Sequence, residues 1–254
     1  IFMSLEERIK YAEMKSRHRK KLTPWYKKWW GKIMITVFFL TAIFLVAASI
    51  YVFIEANRIN EGKSTRFLEE QRERYLAAIN RNSANTYGPT DAKVTLVVFS
   101  DFACPFCRDS HESLKNIREK YGDQVKIVYR DYPLHDNSIF LALSARCAGE
   151  QGKFWQMHDL FFDNFDQFSD KSQGELEIVI PEIATLLGIN TTQFNACLKN
   201  QRHFPQIKQD YEDGTLLVLE GTPTWFINNK RLIGYIAKEN LESLIVDHLN
   251  NITK

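Results

Sequence analysis

Two cysteines, Cys104 and Cys107, enclose the dipeptide Pro-Phe in the segment VVFSDFACPFCRDS. The apolar residues before the pair predict a buried strand and the residues after it predict a helix, so the cysteines lie at a strand-to-helix junction. Unpaired backbone N–H groups and the helix dipole stabilise a thiolate on a cysteine at the start of a helix. Pro105 suits the first helical turn, because its missing N–H costs nothing there. The spacing puts both sulfurs on one helical turn, close enough for a disulfide, and predicts redox chemistry.

Three other interpretations of this pair agree less well with the sequence. Half of a zinc site needs a second close pair of ligands, but the remaining cysteines, Cys147 and Cys197, lie far apart in the chain. Haem attachment needs a histidine directly after the second cysteine, where this chain has Arg108. An inert buried pair is not typical of an exposed strand-to-helix junction. We therefore expect neither a metal ion nor a cofactor at this site.

A few other residues could contribute to the chemistry. Asp101 is expected to cap the turn before the cysteines, with proton transfer as the alternative role. His111, one helical turn after Cys107, is expected to be an exposed, solvated side chain rather than a group that perturbs the thiol. Cys147 and Cys197 fall in two predicted helices. They could be buried free thiols or, in an oxidising compartment, a disulfide.

The elements that must position these residues begin with two strands. The continuous apolar run at 94–99 is typical of a strand buried on both faces, and residues 124–130 alternate as a second strand. A helix is predicted between them at 110–121. Five helical stretches follow, and then two short strands around an Asn-Asn turn predict a hairpin before a last helix. The order β-α-β, helical block, β-β-α predicts an α/β domain.

Charge is distributed unevenly along the 254 residues. Residues 1–32 carry ten Lys or Arg and three Asp or Glu, a net charge of +7, whereas residues 88–254 carry 17 and 23, a net charge of −6. A nucleic-acid-binding domain needs its basic charge on the folded part, so no nucleic-acid partner is expected. The composition, 44% hydrophobic and 25% charged, excludes a collagen-like or wholly disordered chain.

Residues 33–54 contain no charged side chain and predict a transmembrane helix. At about 1.5 Å per residue the segment spans roughly 33 Å, enough to cross a hydrocarbon core of about 30 Å. The basic residues of 1–32 lie just before it and stay in the cytoplasm by the positive-inside rule. The alternative is a signal peptide cleaved at 47–49, but the basic and apolar regions are too long for one. We expect an uncleaved anchor, a partly helical spacer at 55–87 and an exported domain at 88–254.

The segments VVFSDFACPFCRDS and GTPTWFINN, with the helical block between them, resemble the DsbA-like thiol-disulfide oxidoreductases. The resemblance covers about residues 84–250. It implies a thioredoxin-like α/β fold with a helical insertion at about 134–219, preceded by the single N-terminal transmembrane helix. It also implies that Cys104 is the exposed nucleophile and that Cys107 is the resolving thiol of a redox-active disulfide.

The same resemblance implies two further features, and the chain differs from the best-studied members of the family at two positions. It implies a cis bond before Pro223, facing the active disulfide, that leaves the backbone of Thr222 free to pair with an extended substrate. It implies a structural disulfide between Cys147 and Cys197, as in membrane-anchored relatives. The chain departs from the best-studied oxidases by its Pro-Phe dipeptide, where they have Pro-His. It also carries Val98 where they often have a buried acid, so no carboxylate can move protons from that position.

These observations predict a single-pass protein of the bacterial cytoplasmic membrane, with its N-terminus in the cytoplasm and its catalytic domain on the periplasmic or outer face. It is expected to introduce disulfides into exported proteins that carry cysteine thiols. The resemblance implies a quinone-linked membrane oxidase as its redox partner. Two alternatives remain: an envelope disulfide reductase or isomerase supplied by a membrane electron donor, and a non-catalytic scaffold module of an envelope assembly. The sequence does not fix the direction of exchange, which depends on the more stable redox state of the cysteine pair.

Overall fold

The computed structural model describes residues 4–17, 24–81, 83 and 85–251. The chain divides into two units, Ile1–Leu68 and Glu69–Lys254. Three of the basic residues that set the predicted membrane orientation lie outside the described residues: Arg19, Lys20 and Lys21.

The first unit is helical. Helix α1 (Leu5–Arg17) is followed by a short 3-10 turn (Trp25–Lys27) and by the start of helix α2 (Trp29–Asn80). Within α2, Trp29–Ile59 has a mean hydropathy of 2.6 in its most apolar window, and none of that window is buried. By length and composition this helix can cross a membrane, as the sequence predicts.

The second unit is built on a five-stranded mixed sheet with the strand order β1-β3-β2-β4-β5. Strands β2 and β3 run parallel, with Ser100 opposite Asp131 at their carboxyl ends. Strand β4 pairs antiparallel with β2, β5 with β4, and β1 with β3. The apolar sequence of β2 reflects its central place in the sheet. The strands are β1 (Thr86–Tyr87), β2 (Val94–Ser100), β3 (Val125–Asp131), β4 (Thr224–Ile227) and β5 (Lys230–Ile233).

One helix connects the parallel strands, five lie between β3 and β4, and one ends the described chain. The predicted order of elements is therefore observed from β2 onward, with β1 as an unpredicted addition, and the helical block separates the two halves of the sheet in sequence. The helices are α3 (Pro105–Tyr121), α4 (Ser138–Gly149), α5 (Phe154–Asp163), α6 (Gln173–Leu186), α7 (Thr191–Lys199), α8 (Phe204–Leu216) and α9 (Lys238–Asn251).

Both faces of the central strand are covered. Val98 points into the larger core with α3 and the helical block, whereas Val97 and Phe99 lie in a second, smaller core. Ala78 and Ile79, at the end of α2, are buried in this smaller core. The spacer predicted at 55–87 is therefore too long: its last part, including β1, belongs to the folded unit. The sequence did not predict this because Ala78, Ile79 and the two-residue strand β1 give no clear hydrophobic pattern within a polar segment.

A buried ion network joins α8 to the sheet. The guanidinium of Arg130, at the end of β3, donates to the carboxylates of Asp210 and Asp213 and to the carbonyl of Ala78 (3.0 Å). Arg146 of α4 donates to Asp210 as well. Buried charges are tolerated when they are paired and hydrogen-bonded, so these groups hold α8, α4 and the end of α2 against β3.

Cys147 and Cys197 are joined by a disulfide between α4 and α7, with both sulfurs in the core. The bond closes a loop with a sequence separation of 50 residues. Loop closure of this length restricts the unfolded chain, which favours the folded state.

Replacing both cysteines, as Cys147→Ala/Cys197→Ala, should lower the free energy of unfolding by about 3–4 kcal/mol. Urea denaturation of the oxidised wild type and the variant measures this difference. Adding a reductant to the wild type should reproduce most of the loss. A difference below about 1 kcal/mol would mean that packing between α4 and α7 suffices without the bond.

Candidate active site

Cys104 is the N-cap of α3, with an extended backbone (φ −87°, ψ 124°), and Pro105 is the first helical residue. The N–H of Cys104 donates to the carbonyl of Asp101 (3.1 Å), which closes a turn between β2 and the helix. No side-chain oxygen caps this helix. The backbone N–H groups of Phe106 and Cys107 at this helix end instead lower the pKa of the Cys104 sulfur, as expected for a thiolate at a helix N-terminus.

The two thiols are shifted in opposite directions. The pKa of Cys104 is lowered to about 6, first by a hydrogen bond from the Cys107 thiol and further by backbone N–H groups, against the effect of burial. Burial raises the pKa of Cys107, and the neighbouring charge of Cys104 raises it further. At neutral pH one thiolate charge is therefore present in the pair, and it lies mainly on the Cys104 sulfur. Thiolates attack and thiols do not, so the geometry gives Cys104 the nucleophilic character.

The Thr222–Pro223 peptide bond is cis, and this segment lies against the active cysteine. The Cys104 sulfur is 3.4 Å from the carbonyl oxygen of Thr222, which accepts from the thiol when Cys104 is protonated. Cys104 is consequently only 4% exposed. The expectation of an exposed nucleophile is wrong in this respect, because the segment before β4 covers the sulfur. Phe106, in contrast, is 61% exposed beside it.

Asp101 is buried and its carboxylate is saturated with hydrogen bonds. It accepts the backbone N–H groups of Ala103 (2.8 Å), Leu134 (2.8 Å) and His135 (3.2 Å), and the hydroxyl of Ser138. These bonds tie the turn before Cys104 to the loop after β3. The carboxylate thus has the capping role expected from the sequence.

His135 is a site residue that sequence reasoning missed. Its ring Nδ1 lies 2.7 Å from the Asp101 carboxylate, and this hydrogen bond raises the pKa of His135, with the charge of Cys104 adding to the effect. It lines an open pocket of about 680 Å³ together with Pro105 and Phe165. The sequence did contain a signal for this contact. Parallel strands end at the same edge of a sheet, so the residues after β3, including His135, must lie near those after β2.

His111 is not the exposed side chain expected from the sequence. It is 7% exposed, with Nε2 3.1 Å from the carboxylate of Asp163 and its ring stacked on Phe162. Burial lowers its pKa. The expectation was wrong because α5 packs on this face of α3. The same contact brings His158 of α5 close to His111, with ring centroids 5.4 Å apart.

The family model for thioredoxin matches residues 80–247. Among solved structures, the thiol-disulfide exchange protein alpha-DsbA2 from Wolbachia pipientis superposes with a TM-score of 0.61 at 20% identity, covering 72% of this chain and 96% of that one. BdbD from Bacillus subtilis gives a TM-score of 0.57 at 21% identity, covering 65% and 92%. At these identities the similarity is one of fold.

Curated relatives share sequence over part of their length. The Na(+)/H(+) antiporter NhaA 3 of Salinispora tropica is 31% identical over 174 residues, which are 67% of this chain and 26% of the antiporter. NhaA 1 of Salinispora arenicola is 32% identical over 174 residues, again 67% of this chain and 25% of the relative. The chain thus spans about a quarter of the length of these proteins, and the name antiporter describes the complete relatives.

Proposed function

This chain belongs to the thioredoxin family, and we propose that it is a thiol-disulfide oxidoreductase whose Cys104–Cys107 pair introduces disulfides into exported proteins. The thioredoxin-like fold with a helical insertion, predicted from the sequence, is confirmed. One observation carries the proposal: a thiol with a lowered pKa, Cys104, begins α3 directly beside a buried partner thiol and the Thr222 carbonyl. This arrangement suits attack on one sulfur and resolution by the other.

The exchange proceeds through a mixed disulfide. A substrate thiolate attacks the Cys104 sulfur of the oxidised pair, the Cys104–Cys107 bond breaks, and Cys107 leaves with the electron pair and takes up a proton. A second substrate thiolate then attacks the substrate sulfur of the mixed disulfide, and Cys104 leaves as a thiolate. Two electrons have passed from the substrate thiols to the enzyme pair. A thiol with a low pKa leaves fastest, which suits Cys104 to this second step.

The lowered pKa of Cys104 also supports oxidation as the direction. Stabilising its thiolate stabilises the reduced pair, and a stable reduced form makes the disulfide a stronger oxidant. A quinone-linked membrane oxidase would then accept the electrons and restore the disulfide. A reductase or isomerase is the competing direction for the same residues.

The apolar part of α2 supports a membrane anchor, with the N-terminus in the cytoplasm and the redox domain on the outer face of a bacterial cytoplasmic membrane. An anchored domain would act on chains as they emerge from the membrane. The full-length chain should stay with the membrane fraction after a carbonate wash, and its release as a shortened soluble form would contradict the anchor.

Exchange is tested with the oxidised full-length chain in detergent and a reduced peptide that carries two cysteines. The wild type should oxidise one peptide per chain, and Cys104→Ala should oxidise none. Cys147→Ala/Cys197→Ala is the matched control and should keep the activity. Thiol trapping in cells gives the direction: a mostly oxidised Cys104–Cys107 pair supports an oxidase, and a mostly reduced pair a reductase or isomerase. An inactive wild type would favour the scaffold alternative.

A further inference from the structure

A small cavity lies behind the resolving cysteine. Its volume is about 10 Å³, close to what a single water molecule occupies. Five residues with polar side chains line it: Ser100, Cys107, Ser110, His111 and His158. The remaining wall is apolar and consists mainly of Val98, Leu114, Phe162, Pro223 and Trp225.

Three buried polar atoms of these lining residues have no hydrogen-bond partner among the described residues: Ser110 Oγ, His111 Nδ1 and His158 Nε2. Buried polar groups nearly always find a partner, so three such atoms around one cavity call for an explanation. A single water molecule in the cavity would supply a partner to each of them.

The tautomers of both histidines follow from their other nitrogens. His111 Nε2 lies 3.1 Å from the Asp163 carboxylate, and His158 Nδ1 lies 2.9 Å from the Asp159 carboxylate. An ionised carboxylate only accepts, so each of these nitrogens carries the hydrogen. The nitrogens without a protein partner are therefore both lone-pair acceptors.

We propose that one water molecule in this cavity takes the proton of the Cys107 thiol and passes it to Nε2 of His158. In the mixed disulfide the Cys104 sulfur is no longer a thiolate that holds the Cys107 S–H. The hydrogen bonds then balance: the water accepts from Cys107 S–H and Ser110 O–H and donates to the two imidazoles. This inference rests on the proposed exchange at Cys104–Cys107. It supplies a proton acceptor where the chain has Val98 and no carboxylate.

An exit for the proton is present on the other side of His158. Its Nδ1–H donates to Asp159, whose side chain is 22% exposed. When Nε2 receives a proton, Nδ1 can release its own toward this carboxylate, so the ring carries the proton through the aromatic core to the surface. Arg118 donates to Asp159 (2.9 Å). Against the effect of burial, hydrogen bonds from His158 and Arg118 lower the pKa of Asp159, so the carboxylate passes the proton on to solvent and does not hold it.

Electrostatics keep His158 neutral between turnovers. Burial, with smaller effects from His111 and Arg118, lowers the pKa of His158 to about 4 against the opposing effect of Asp159. Tyr129 faces the ring from the sheet, with centroids 5.0 Å apart. A neutral imidazole presents the free lone pair that the relay requires. Its low pKa means that the ring transmits the proton and does not hold it.

The same residues are a poor metal site. Ligand atoms of His111, His158 and Asp159 lie within 4.8 Å of one another. Asp159, however, already carries the guanidinium of Arg118 through two hydrogen bonds. A metal ion would have to displace this cation from a half-buried carboxylate, so the geometry favours the relay.

The relay acts in the resolving step, which can be isolated. Cys104 of the full-length chain is first joined in a mixed disulfide to 5-thio-2-nitrobenzoate. Cys107 then loses its proton to the relay, its sulfur forms a bond to the Cys104 sulfur, and the coloured thiolate leaves with the electron pair. Forming the mixed disulfide from the symmetrical aromatic disulfide releases one coloured thiolate, and resolution by Cys107 releases a second. The rate of the second release reports the resolving step, in which the bound aromatic sulfur is the oxidant.

The decisive variant is His158→Gln. His248→Gln is the control, because His248 hydrogen-bonds to the Leu244 carbonyl of its own helix and does not line the cavity. Near neutral pH, His158→Gln should slow release by about 100-fold. The deficit should shrink as pH rises, since hydroxide then deprotonates Cys107 without the relay. Alkylation of Cys104 in the reduced protein should change less than twofold, and His248→Gln should match the wild type throughout.

Release at the wild-type rate in His158→Gln would overturn the relay, and so would a deficit of constant size at every pH, which indicates a structural role. Stoichiometric zinc retained by the wild type would overturn it as well. If His158→Gln does not fold, the wild type itself decides: release should be slower in D2O, and equal rates contradict proton transfer. A wild type that releases no thiolate through Cys107, judged against Cys107→Ser, would refute the proposed function itself.

Discussion

Cys107→Ser should accumulate covalent complexes with substrate proteins through Cys104, whereas Cys104→Ser should accumulate none. Cys104 has the lowered pKa and begins α3, while Cys107 is buried one turn later with a raised pKa. Without a resolving thiol, a mixed disulfide at Cys104 can be released only by an outside thiol. The complexes are measured on non-reducing gels after acid quenching of cells.

Reduction should dissolve these complexes, and the double variant Cys104→Ser/Cys107→Ser is the control that should show none. Cys147→Ala/Cys197→Ala in the Cys107→Ser background should retain them, because the second disulfide lies between α4 and α7. Complexes that appear only with Cys104→Ser would reverse the roles of the two thiols.

Arg130→Met should lower the free energy of unfolding by about 3–5 kcal/mol. Arg130 is fully buried and pairs with Asp210 and Asp213, so its removal takes from each buried carboxylate one of its two arginines and leaves only Arg146 at Asp210 and Arg81 at Asp213. Chemical denaturation gives the value. The control is Arg74→Met, because Arg74 pairs with Glu70 on an exposed helical surface and should cost less than about 1 kcal/mol.

The loss in Arg130→Met should depend on pH in a defined direction. Burial raises the pKa of Asp210 to about 6 even with its arginines in place. A carboxyl whose folded pKa is raised favours the folded state below its unfolded pKa and loses that advantage as pH rises through the folded value. Removing Arg130 strengthens this effect, so the deficit should be smaller at about pH 5 than at about pH 8. An equal deficit at both values would mean that lost packing, not charge, dominates.

The cysteine pair could be predicted because its signal is local. Cys104 and Cys107 stand between an apolar strand and a helix, and the continuous apolar run of β2 indicates a strand covered on both faces. The GTPTWFINN motif supplied Pro223 through resemblance alone. Neither conclusion needed knowledge of which distant side chains touch.

The buried polar groups could not be predicted, because their contacts join residues that lie far apart in sequence. Arg130 and Asp210 are 80 residues apart in sequence, and charged residues are usually exposed. His111 was expected in solvent because nothing in its own helix showed that α5 would cover it. His158 stood in an aromatic run whose periodicity indicates core packing, and only the fold places its free nitrogen beside a cavity that Cys107 also lines.

The reduction potential of the Cys104–Cys107 couple tests the central claim most directly. It is measured on the full-length chain by equilibration with glutathione buffers, followed by alkylation of the free thiols. Thioredoxin has a first-cysteine pKa near 7 and a potential of about −270 mV, whereas DsbA has values of about 3.5 and −120 mV. A pKa of about 6 for Cys104 predicts a potential between these limits, more oxidising than that of thioredoxin. A potential at or below about −270 mV, or a pair that forms no disulfide at all, would contradict an oxidase.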